Sequence, residues 1–170
     1  HNLNYVTLRY FNAAGAKLDG SLGEDHQPES HIIPIFIQRV LQDKDFYIFG
    51  DNYDTEDGTC VRDYIHVLDL ASAHIKAVKA LEGAQEDDIN TAYNVGTGHG
   101  YSNKQIAETI IKVTGTDNSY SFQERRPGDA DTLVADASKI KEHLGWEPKH
   151  SDLETIIESA WAWHQKHHKA

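Results

Sequence analysis

The feature that most constrains this chain is an alternation of short runs rich in β-branched and aromatic residues with longer stretches of helical periodicity. Residues 6–11, 45–50 and 91–96 read as strands, and residues 119–123 as a further short one. Residues 31–42 carry apolar side chains at helical spacing. Pro34 is tolerated there only near the first turn, so this helix starts close to Ser30. Residues 67–81 form a helix ended by Gly83. Ser102 with Gln105 makes a capping box whose helix stops at Gly115, and residues 137–144 make a short helix stopped by Gly145. Ser151 with Glu154 reads as a second capping box, opening the last helix. Residues 12–15 read as a turn, the stretch to Glu29 as loop, and residues 51–58 as a turn or hairpin loop. The expected class is α/β with an α+β character: few short strands with flanking helices, in one domain over residues 1–170.

Composition excludes several functions. With 16 Lys and Arg against 27 Asp and Glu the formal charge is −11, and no basic stripe is present, so nucleic acid is not an expected partner. A small anion remains compatible, because a few inward-pointing arginines dominate a pocket whatever the global charge. A single cysteine, Cys60, forms no internal disulfide, and no apolar run approaches the ~20 residues of a membrane span. The cytoplasm is the expected compartment. The chain contains no Met and opens directly on the run-in to a strand, so it reads as the C-terminal portion of a longer protein.

Three loop motifs could carry chemistry. Arg62 and Tyr64 are two residues apart on an extended segment and share a face, an arrangement that suits a diphosphate flanked by a ribose. The plain alternative is a surface arginine paired with Asp57 or Asp63, and the pattern leaves both open. In Arg125-Arg-Pro-Gly-Asp129, Pro127 and Gly128 make a rigid turn that aims Arg126 and Asp129; a guanidinium beside a carboxylate matches phosphate and ribose hydroxyls, or an exposed turn with a local ion pair. Gly96-Thr-Gly-His-Gly100 lies between a strand and a helix, but its third glycine comes one residue too early for a dinucleotide fingerprint and no acidic residue closes a following strand, so it reads as a structural turn.

Other reactive residue types read as inert. His164, His167 and His168 have helical spacing without a carboxylate or cysteine partner in register, so they are expected to form a solvated tail, and no metal site is expected. Trp146, Trp161 and Trp163 are expected to cover apolar surface. Cys60 has no arranged base, and no catalytic residue is assigned within the chain. No tyrosine has a lysine four residues later, and no glycine-rich turn opens a first βα unit.

Taken together, Leu8-Arg-Tyr-Phe-Asn-Ala-Ala-Gly15, the block from Tyr53 to Leu70 containing Thr-Glu-Asp-Gly-Thr, Tyr93-Asn-Val-Gly-Thr-Gly-His-Gly100 and Arg125-Arg-Pro-Gly-Asp129 resemble the UDP-glucose 4-epimerases of the extended short-chain dehydrogenase family. The resemblance runs from end to end. It implies the UDP-sugar lobe of a two-lobed isomerase, plus the last strand of an N-terminal Rossmann lobe that holds NAD and carries the catalytic tyrosine and lysine. The implied reaction interconverts UDP-galactose and UDP-glucose through a 4-keto intermediate, with a homodimer as the full-length form; this portion alone is expected to be inactive. By the same resemblance Phe11 borders the nicotinamide and Asn12 the diphosphate or sugar. His31 and Ile32 line the nucleotide end, and Tyr47, Ile48 and Phe49 meet the uracil largely through backbone. Arg62 and Arg126 clamp the diphosphate, with Tyr64 beside Arg62, and Asp129 holds ribose hydroxyls. Leu133 falls where bulk at the sugar C2 is gated, which leaves acetamido sugars open. A nucleotide-sugar dehydratase or uronate epimerase is the nearest alternative, and a non-catalytic binding module the more distant one.

Overall fold

A computed structural model describes residues 3–83 and 90–167. Along the chain run β1 (Tyr5–Tyr10), β2 (Asn12–Ala14), α1 (Ile32–Leu41), β3 (Phe46–Phe49), β4 (Val61–Arg62), β5 (Tyr64–His66), α2 (Val67–Glu82), β6 (Asn90–Val95), β7 (Tyr101–Ser102), α3 (Asn103–Thr114), β8 (Tyr120–Gln123), β9 (Thr132–Leu133), α4 (Ser138–Leu144) and α5 (Leu153–His167). The expected α/β class with few short strands holds. The pairing is mostly parallel: β1 with β6, β2 with β5, and β3 with β8, while β4 lies between antiparallel β7 and parallel β9. Because β3 pairs with distant β8 in parallel, residues 51–58 are not a hairpin loop. Their turn closes instead through Tyr53 N–H to Gly58 O at 2.9 Å.

Two apolar cores organise these elements. In the first, Ile33, Phe36 and Ile37 of α1 pack with Ile106 and Ile110 of α3, Ile156 and Ile157 of α5, and Phe46 and Ile48 of β3. Phe36 and Phe46 stack with ring centroids 4.7 Å apart. The second gathers Ile65, Ala73 of α2, Tyr93 and Val95 of β6, Ile140 of α4 and Trp146. Trp146 is fully buried, and its indole N–H reaches Ser72 Oγ at 2.9 Å, so it is a core residue rather than a cover over apolar surface.

The helix signals map onto the structure with three corrections. The Ser102–Gln105 capping box forms in both directions, and Gly115 and Gly145 adopt left-handed φ of 65° and 56° at their helix ends. Residues 12–14 are a strand rather than a turn, because Asn12 continues from β1 onto a new partner, with its N–H on Asp63 O at 3.1 Å. At α5 the capping acceptor is Asp152, whose carboxylate takes Thr155 N–H at 2.9 Å. Ser151 is drawn inward: its hydroxyl donates to Asp69 at 2.6 Å and accepts from His66 N–H at 2.9 Å. Of the C-terminal histidines, His164 is buried at 2 % exposure rather than solvated, His167 is exposed in the last turn of α5, and His168 lies outside the described residues.

Candidate functional site

Two adjoining cavities, of about 270 Å3 and about 180 Å3, open between α1, β3, the β4–β5 segment and the turn before β9. Ser30, Ile32, Asn103, Arg126 and Asp129 are common to both walls. Together they have the size and the mixed apolar and polar lining of a small-molecule site. The larger cavity is walled by Ile35, Phe36, Arg39, Tyr47 and Phe49, the smaller by Asn12, His31, Cys60, Arg62 and Tyr64.

Several polar side chains on the smaller wall are held from behind. Arg62 is committed to neither Asp57 nor Asp63. Its Nη1 donates to Val61 O and Ala130 O, both at 2.8 Å, which fixes the guanidinium plane, and its Nη2 stands 4.0 Å from Asp129 Oδ1. Arg126 stacks over Phe49 at 4.0 Å, and Gly128, at φ 84°, lets the chain turn back so that Asp129 faces the same space. Arg125 braces that turn by stacking on Tyr53 at 3.9 Å and pairing with Asp131 at 2.7 Å. Asn12 Nδ2 donates to Asp63 O at 2.9 Å. Burial pushes the Tyr64 phenol well above its usual range and raises the Cys60 thiol, so the phenol stays protonated and the thiol is held away from thiolate.

The sequence-predicted residues divide into three groups. Asn12, His31, Ile32, Tyr47, Phe49, Arg62, Tyr64, Arg126 and Asp129 lie on the cavity walls. Ile48 turns its side chain into the first core at 1 % exposure and is not on either cavity wall. Phe11 and Leu133 stand off both walls, Leu133 about half exposed on β9 in register with Arg62. Arg39, Asn103 and Ser30 are wall residues that the motifs passed over. For Arg39 the signal exists: Ile32, Ile35, Phe36 and Arg39 follow the i, i+3, i+4, i+7 spacing of one helix face.

The Gly96–Gly100 turn serves the interior. Its Thr97 and Gly98 N–H groups donate to the buried Asp63 carboxylate at 2.9–3.1 Å, and Ala135 N–H joins them at 3.1 Å. Donors committed to an internal carboxylate are not a phosphate cradle.

The sequence pattern of the GDP-mannose 4,6 dehydratase family matches residues 1–159. The chain belongs to that family. Within it the chain is 51% identical over 168 residues to a UDP-glucose 4-epimerase of Lactobacillus helveticus, covering 98% of this chain and 50% of the relative. A crystal structure of a UDP-glucose 4-epimerase superposes with a TM-score of 0.92 at 47% identity, over 98% of this chain and 50% of the other. The Bifidobacterium longum UDP-glucose 4-epimerase, solved in complex with NAD+ and UDP, superposes at 0.88 with 36% identity, over 99% and 49%. The chain thus spans about half the length of the relatives it matches. No helix among the described residues is long and apolar enough to cross a membrane.

Proposed function

We propose that this chain is the UDP-sugar-binding portion of a cytoplasmic UDP-glucose 4-epimerase that interconverts UDP-glucose and UDP-galactose. The observation that carries this reading is the placement of Arg62, Arg126 and Asp129 on one cavity wall, with an aromatic compartment alongside. A diphosphate between the two guanidiniums places the uridine toward Tyr47 and Phe49, the ribose hydroxyls at Asp129, and the hexose toward Asn12 and Tyr64. His31 and Ile32 border the nucleotide at the start of α1, and Ile48 contributes backbone. Leu133 is assigned to the C2 side of the hexose. The Arg39 guanidinium, 4.7 Å over the Tyr47 ring, stiffens the aromatic wall. Similarity to relatives named UDP-glucose 4-epimerase favours this reading over a dehydratase, although the family bears a dehydratase's name.

The described residues contain no dinucleotide cradle, because the one candidate turn spends its N–H groups on Asp63. NAD therefore belongs to a separate Rossmann lobe of the full-length enzyme, with Phe11 as this chain's contact to it. An open face supports such a lobe: among the described residues β1 pairs only with β6 and leaves Tyr5 and Tyr10 about half exposed, whereas parallel strands are ordinarily covered on both sides. Homodimerisation is assigned to the full-length protein.

Calorimetry with UDP on the full-length enzyme tests the clamp. Arg62→Ala and Arg126→Ala each remove a charge-assisted contact of about 1.5–3 kcal/mol, so affinity falls by about tenfold to a hundredfold. Unchanged UDP binding in both variants ends the assignment.

A further inference from the structure

The loop before α1 gathers three side chains that the nucleotide-sugar reading does not use, Glu24, His26 and Glu29, beside His31, which also borders the smaller cavity. Glu24, His26, Glu29 and His31 each present one ligand atom, and these atoms all lie within 4.8 Å of one another. His31 Nδ1 is 2.9 Å from Glu24 Oε1 and 3.3 Å from Glu29 Oε1; His26 Nδ1 is 3.1 Å from Glu24 Oε1 and 3.5 Å from Glu29 Oε2. We propose that these four residues form a binding site for a divalent transition cation of the zinc class.

The geometry and the charge both favour it. Four ligands at zinc's ordinary bond lengths, about 2.0–2.2 Å, stand about 3.3–3.6 Å apart along the edges of a tetrahedron. The histidine–glutamate separations lie between 2.9 and 3.5 Å, counting both Glu29 oxygens, and the four ligand atoms all lie within 4.8 Å of one another, so a cation at the centre is reached by small side-chain rotations. Two imidazoles and two carboxylates suit zinc better than magnesium or calcium, which call for six or more oxygens. A dication also balances the two carboxylates.

The set is braced as a metal site requires. Glu29, whose side chain is only 7 % exposed, accepts from the Ser30 and His31 N–H groups at 2.7 and 2.8 Å, which aims its carboxylate. Glu24 is anchored through its carbonyl, which accepts the Trp163 indole N–H of α5 at 3.1 Å. With four protein ligands the site is closed, and closed sites are structural rather than catalytic. Its consequence is mechanical: the cation ties the start of α1, where His31 borders the smaller cavity, to the loop held by α5.

The test uses the full 170-residue chain, stripped of metal and titrated with zinc by calorimetry and with cobalt(II) by visible absorption. One equivalent of zinc bound, together with the intense cobalt spectrum of a tetrahedral site, is expected. A Glu24→Gln/His26→Gln double variant with unchanged circular dichroism loses at least about tenfold in zinc affinity. Absence of stoichiometric zinc binding in the parent chain overturns the site, as does a weak octahedral cobalt spectrum or full zinc affinity in the double variant. Should the double variant unfold, the cobalt spectrum of the parent decides alone.

Discussion

Asp63 is fully buried, and among the described residues no cation pairs with it; five hydrogen bonds from the Thr97, Gly98 and Ala135 N–H groups and the Thr97 hydroxyl hold its carboxylate as an acceptor for otherwise orphaned donors. Asp63→Asn keeps the size but turns an NH2 group toward those donors, leaving buried groups unpaired. The expected cost is about 1–3 kcal/mol, read as a lower urea midpoint with an unchanged slope. His66 is the companion case. Its Nδ1 accepts Leu68 N–H at 3.1 Å, so the neutral ring carries its proton on Nε2 and donates to Ser159 Oγ, also at 3.1 Å. Burial lowers the folded pKa below the usual value of about 6.5, so the unfolded chain takes up the proton first as pH falls. The stability this contributes is complete above about pH 6.5 and is lost as pH drops toward the lower folded value. Urea denaturation at about pH 8 and about pH 5 checks the sign: the parent loses more stability on acidification than His66→Asn.

At the scale of elements, glycines separate two kinds of constraint. Gly115 ends α3 at φ 65° with nothing within 4 Å of an added Cβ, so Gly115→Ala carries backbone strain alone, about 1–2 kcal/mol. A Cβ on Gly96 stands 2.5 Å from Ala135 Cβ and 2.7 Å from Asp63 Oδ2, so Gly96→Ala collides with the buried carboxylate as well as with a side chain. Thermal unfolding of both variants is expected to show the larger loss at Gly96; equal losses contradict the packing argument. The same contrast explains what the chain's pattern discloses. Helices α1, α2 and α3 are legible because capping and periodicity are local, and Arg62 and Arg126 are legible because their motifs are contiguous, whereas Arg39 has no such motif around it. The two-residue strands β4, β7 and β9 are not, since each exists only through partners distant in sequence. Ser151 and Asp152 illustrate the limit within one pair: both are capping residue types, and the choice between them is made by Asp69 and His66, more than 80 positions away. Buried Asp63 likewise looks like any loop acid until Thr97, Gly98 and Ala135 are folded around it.

For the whole molecule the balance is between an acidic exterior and a cationic pocket. A chain of net charge −11 repels a nucleotide diphosphate at long range, so affinity must come from close contacts with Arg62 and Arg126. Those contacts are strong only when water is kept out, and here the two cavities are partly open to solvent; in the proposed full-length enzyme a second lobe covers the hexose and closes them. The 170-residue chain alone is therefore expected to bind UDP weakly, and more weakly as salt is raised, whereas the full-length enzyme binds tightly. Parallel calorimetry on both forms decides the point. Low-micromolar affinity in the isolated chain means that its own walls suffice, and that a second lobe contributes catalysis without closing the nucleotide site.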